Sequence, residues 1–141
     1  MEYASVAWDP IGDGNKCFRE KIEMVQRKSA RFVCNDWKRT SSATALVKSL
    51  GWRSLESRRL QNRLTFLMKY HQKIIDLDDN LVTLSRSRVL TRFLPIHARV
   101  WAYHNSFLLS TVHAWNQLPA SFVGVDVSLD SFKKSIANYE Y

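Results

Sequence analysis

The stretch from Ser54 to Ile75, SLESRRLQNRLTFLMKYHQKII, decides the fold class of this chain. Leu60, Leu64, Leu67, His71, Ile74 and Ile75 recur at helical spacing along one face, while Arg58, Arg59, Arg63, Lys69 and Lys73 project around it. Ser54 stands where a hydroxyl can accept the first free backbone N–H groups. The pattern predicts a long amphipathic helix, and its basic side is the most coherent positive patch in the sequence.

Upstream, Thr40, Ser41 and Ser42 offer N-caps and Gly51 a stop for a shorter helix with Leu46, Val47 and Leu50 as its apolar stripe. Earlier still, the loop Pro10 to Asn15 holds a proline and two glycines. It leads into a helix from about Asn15 to Asn35, with Phe18, Ile22, Val25, Phe32 and Val33 on one face and Ser29 between them. Downstream, residues 76–92 read as a flexible connector, with Asp76, Asp78, Asp79 and Asn80 leading into Ser85-Arg86-Ser87-Arg88. Residues 92–103, RFLPIHARVWAY, are rich in β-branched and aromatic side chains, with Pro95 confining any strand to an edge. A helix from about Asn105 to Gln117 must stop before Pro119, and a last one, capped by Ser128, carries Leu129, Phe132 and Ile136 inward.

The expected fold is therefore mainly α, a small domain of about five helices with room for one short β-hairpin or edge strands around residues 90–103. Along the chain this gives a basic helical region over 1–75, the connector over 76–92 and a C-terminal region over 93–141, which together form one compact unit. A chain of 141 residues suits one domain. Its apolar fraction of 45% and aromatic fraction of 12% fit a globular, soluble protein. No basic start followed by an apolar run marks a secretory signal, so the expected location is intracellular, nucleus or cytoplasm, without a membrane. Cys17 and Cys34 would stand about 25 Å apart on a straight helix, out of disulfide reach.

Charge is concentrated. Residues 16–73 contain fifteen Lys and Arg against four acids, a net +11, so that the remainder carries −3 and the whole chain +8. A positive field gathered in one region attracts polyanions, of which nucleic acid is the commonest inside cells. Catalytic constellations are harder to find. Asp78-Asp79 is the only adjacent acidic pair and sits in a turn-like LDDN; His97, His104 and His113 lack zinc spacing; no phosphate-cradling glycine loop occurs. No catalytic, metal or cofactor site is expected. The five tryptophans could stack on bases, although each occupies an apolar-periodic or junction position that suits packing.

Five pieces of the chain then line up in one order: EYASVAWDP (Glu2 to Pro10), EMVQRKSARFV (Glu23 to Val33), LGWRSLESRR (Leu50 to Arg59), SFLLSTVHAWNQLP (Ser106 to Pro119) and SLDSFK (Ser128 to Lys133). Together they resemble the closing, post-palm region of the reverse transcriptases of non-LTR retrotransposons, LINE-like elements of the jockey type. Where that family usually has proline and arginine before the threonine of the fourth piece, this chain has Leu109 and Ser110.

The resemblance implies thumb-like helices and a tail that hold template-primer duplex or element RNA, while fingers, palm, catalytic aspartates and endonuclease lie upstream of Glu2. On it, the chain is a non-catalytic fragment of an RNA-directed DNA polymerase. Its expected partners are the phosphate backbone of RNA or DNA and the upstream reverse-transcriptase domains in trans; no small-molecule substrate is expected. Arg27, Arg31, Arg58, Arg59, Arg63 and Lys69 are the first candidates for backbone contacts, Lys38 and Arg39 the second. Trp52, Phe107, Trp115, Leu118, Pro119, Ser128 and Phe132 are expected to be structural, as anchors, helix stop and cap. Two other readings fit the same residues: a helical protein-interaction module that docks an acidic surface, or a retroelement remnant without a partner.

Overall fold

The computed structural model describes residues 4–78, 81–86, 90–124 and 126–139. Asp79 of the acidic pair and Ser87-Arg88 of the serine-arginine stretch lie outside them. The elements are α1 (Ser5–Trp8), a 3-10 turn (Asp13–Asn15), α2 (Lys16–Val33), α3 (Ala43–Ser49), α4 (Leu55–His71), α5 (Trp101–His104), α6 (Phe107–Gln117) and α7 (Leu129–Ala137). The molecule is mainly helical. Where edge strands were expected, the described residues form only two isolated antiparallel bridges, Leu84 with Phe93 and Leu90 with Gly124.

Local chemistry explains the helix ends. The hydroxyls of Ser42, Ser54 and Ser128 accept from the N–H groups of Ala45, Ser57 and Ser131 at 3.4, 3.1 and 3.2 Å, each three residues on. Gly51 ends α3 with φ +66°, its N–H donating to Lys48 and that of Trp52 to Val47, a Schellman closure. Asn35 and Lys73 close α2 and α4 with the same pair of bonds at positive φ. Leu118, ahead of Pro119, is extended at φ −62° and ψ 146°, as the proline ring requires.

α4 is the central rod and packs against α1, α2, α6 and α7. On one side Leu64 and Leu67 meet Trp115, Phe132 and Ile136, all 2% exposed or less, with the Trp115 and Phe132 rings 5.2 Å apart. Phe93 adds an edge contact to Trp115 at 5.6 Å. Val82 joins this core and Thr91 is buried, and Ser85 N–H and Leu94 N–H donate to Arg92 and Thr83 carbonyls. Ile74, expected on the buried face, follows the end of α4 and is 57% exposed.

The other side is different. α2 and α3 form an arm on α4 in which only Gln26 and Ala30 of α2 are buried and no residue of α3 is. The apolar face read for α2 points outward: Phe18 is 59% exposed, Val25 42%, Phe32 76% and Val33 56%. Gln26 can take the inner position because its amide donates to the Arg53 carbonyl at 2.7 Å, which satisfies a group otherwise costly to bury. Among the described residues, no helix is long and apolar enough to cross a membrane.

Candidate nucleic-acid interface

The expected basic residues divide into two groups. Arg59 is 1% exposed, with Nε 2.8 Å from Asp9 Oδ1 and Nη2 4.0 Å from Glu23 Oε1. One turn on, Arg63 sets Nε 3.2 Å from Asp9 Oδ2 and donates from Nη1 to Ser110 Oγ at 3.2 Å. This corrects the assignment of Arg59 and Arg63 to phosphate contacts: a guanidinium buried against a carboxylate is not presented to a ligand. The sequence reading missed Asp9, whose only signal was its place in the first family-like piece.

Arg31 is also occupied inside the fold. Its guanidinium donates to the carbonyls of Asp36, Lys38 and Ser41 at 3.3, 3.1 and 2.7 Å, tying the turn between α2 and α3. In that turn Asp36 accepts from the Lys38 N–H at 3.1 Å, and its carboxyl is held below its ordinary value, first by the Ser41 hydroxyl and then by that N–H. Lys38 and Arg39 stand exposed beside it, as do Arg27 on α2 and Arg58 on α4; Lys69 is half-buried.

Arg27 lies in a groove of about 890 Å³ together with Lys48, Trp52 and Arg53. α2, α3, the start of α4 and Ala137–Tyr139 after and at the end of α7 form its walls. Two acids share it, and one of them is already engaged: Glu23 accepts from the backbone N–H groups of Leu55 and Glu56 at 3.3 and 2.7 Å, supplementing the Ser54 cap of α4. Three cations beside a half-buried indole make a concavity suited to a phosphodiester and a stacked base. The sequence reading did not single out Lys48 and Arg53. The signal was available in Gly51, whose turn places Trp52 and Arg53 between two helices.

The signature around Trp115 is a fastening. The Trp115 indole N–H donates to the Thr91 carbonyl at 2.8 Å. The Asn116 amide accepts from the Phe93 N–H at 3.1 Å and donates to the Phe93 carbonyl at 2.8 Å, like a neighbouring strand. Arg92 then donates to the carbonyls of Trp115, Asn116 and Leu118, covering the free C-terminal end of α6. Phe107 meets Phe66 edge-on at 5.5 Å. Neither Arg92 nor Asn116 had been singled out.

A second concavity of about 350 Å³ lies between α1, α4 and α6, with Val6, Phe66, Leu81, Phe107 and Leu108 in its walls. Tyr70 also borders it, its hydroxyl donating to the Asp78 carbonyl at 3.0 Å. Among the described residues, no three His, Cys, Asp or Glu side chains converge where they could hold a metal ion. Comparison with known proteins finds no matching family model, no matching curated protein and no matching solved structure.

Proposed function

We propose that this chain is a non-catalytic module that grips RNA or DNA by the phosphate backbone, the role implied by its resemblance to the post-palm region of non-LTR retrotransposon reverse transcriptases. The observation that carries this reading is the groove whose lining holds Arg27, Lys48 and Arg53 together with Trp52. Lys38, Arg39 and Arg58 add further exposed positive charge on the same half of the chain. Phosphate recognition of this kind is nearly independent of sequence and strongly dependent on salt. Upstream reverse-transcriptase domains supplied in trans would be the protein partner.

Fluorescence anisotropy with labelled single-stranded and duplex oligonucleotides tests the reading. Binding at low salt should fall on a log-log plot with a slope of about −0.9 per neutralised phosphate on duplex, so about −2.7 if the three groove cations each take one. The triple replacement Arg27→Glu, Lys48→Glu, Arg53→Glu should abolish it without unfolding the chain. Absence of affinity at low salt, or unchanged affinity in the triple variant, would remove this reading.

A further inference from the structure

A second surface of α2 calls for a ligand of a different kind. Phe18, Ile22, Val25, Ser29 and Phe32 follow one another at steps of four, three, four and three, the spacing of a coiled-coil seam, over about 21 Å at 1.5 Å per residue. In the folded chain Phe18, Val25, Ser29 and Phe32 of this seam are exposed and Ile22 is half-buried, and the two phenylalanines are among the most exposed large apolar side chains of the described residues. Single exposed apolar residues are ordinary, but an aligned row on one helix marks an interaction surface. The one polar member does not interrupt it. Ser29 Oγ donates to the Val25 carbonyl at 3.0 Å, so its hydroxyl is satisfied within the helix and a small side chain leaves a notch between Val25 and Phe32.

The charges beside the seam indicate what fits. Lys21 and Lys28, both exposed, precede Ile22 and Ser29 and so stand along its outer edge, with Lys21 Nζ 5.7 Å from the Phe18 ring centroid. α2 carries six basic residues (Lys16, Arg19, Lys21, Arg27, Lys28, Arg31) against Glu20 and Glu23, a net +4, and Glu23 is bonded to the start of α4. A second copy is therefore a poor occupant: it would set +4 beside +4, and an antiparallel pair would bring Lys21 next to its counterpart's Lys28. Flanking charges choose coiled-coil partners in this way.

We infer that the outward seam of α2, from Phe18 to Phe32, is a docking site for an acidic amphipathic helix of a partner protein. Such a helix places its apolar row between Phe18, Val25 and Phe32, a bulky side chain over Ser29, and glutamates or aspartates against Lys21 and Lys28. This surface is separate from the groove cations: successive residues turn by about 100°, so Arg27 and Lys28 face different ways and the two surfaces can be mutated independently.

The test titrates the full chain with a labelled three-heptad peptide carrying leucine at its seam and glutamate at the flanking positions, beside a twin carrying lysine there. The glutamate peptide should bind, and the lysine twin at least about tenfold more weakly. Phe18→Ser with Phe32→Ser should weaken binding by about tenfold or more while the thermal melt is retained, because both side chains are mostly exposed. Lys21→Glu with Lys28→Glu should invert the preference between the peptides. Equal affinity for the twins, or undiminished binding by the serine variant, overturns the assignment. So does a dimer seen by sedimentation and dispersed by the serine variant, which assigns the seam to a second copy. Capture of the chain by phosphatidylserine vesicles through the same phenylalanines, without peptide binding, overturns it in favour of a lipid surface.

Discussion

Asp9 Oδ1 lies 2.8 Å from Arg59 Nε, and the two residues stand fifty positions apart in the chain. With Arg63 on the other carboxylate oxygen, Asp9 fastens the segment after α1 to the middle of α4. Two of the most promising phosphate-binding arginines thereby become structural.

Removing that carboxylate takes the nearest acid away from the buried Arg59 and the half-buried Arg63. Asp9→Ala should lower stability in urea unfolding by about 3–5 kcal/mol, whereas Asp9→Leu combined with Arg59→Met and Arg63→Met should recover much of the loss, since an apolar trio of similar volume avoids desolvating charge. A loss below about 1 kcal/mol in the single variant would show that the cluster is solvated.

Asn116 is predicted to matter as a two-way bonding group. Asn116→Ala removes both bonds to the Phe93 backbone and should cost about 1–3 kcal/mol. Asn116→Asp keeps an acceptor for the Phe93 N–H but sets a carboxylate oxygen against the Phe93 carbonyl, so near pH 7 it should be the worse of the two. Equal melting temperatures for aspartate and wild type would contradict this geometry.

Gly51 isolates the cost of backbone handedness. Its φ is +66° and a Cβ there would meet nothing within 4 Å, so Gly51→Ala carries strain without a clash. The expected loss is about 1 kcal/mol, read by chemical denaturation.

His71 lies half-buried with its ring edge-on to Phe93 at 6.1 Å between centroids, and burial holds its imidazole below the ordinary value of 6.5. The unfolded chain therefore binds this proton more readily than the folded one. The resulting stability is fully present above about pH 6.5 and declines as pH falls toward the folded-state value. His71→Gln should remove that part of the slope between pH 7.5 and 5.5; parallel melting curves for the two proteins across this window would exclude it.

What could be read in advance was short-range. Ser42, Ser54 and Ser128 cap helices by bonding three residues ahead, Gly51 supplies its own positive φ, and Pro119 dictates the conformation of its immediate neighbour. Such features need no knowledge of the rest of the fold. The outward face of α2 was visible as an apolar row, yet periodicity says only that a face exists; its direction depended on Gln26 finding the Arg53 carbonyl, 27 residues away. Arg59 and Arg63 were taken for phosphate contacts for the same reason. Charge is local, but whether a guanidinium meets Asp9 or solvent is set by tertiary packing, and Lys48 and Arg53 join Arg27 only after α3 has folded back on α2.

Gln61 and Asn62 are neighbours on α4, and they reach toward opposite extremities of the polypeptide: Gln61 donates to the Ile136 carbonyl at 3.1 Å and Asn62 to Ser5 Oγ at 3.1 Å. The first and last helices are thus moored one residue apart on a single rod. Loosening α4 around these two residues is therefore expected to release α1 and α7 together, in one cooperative step.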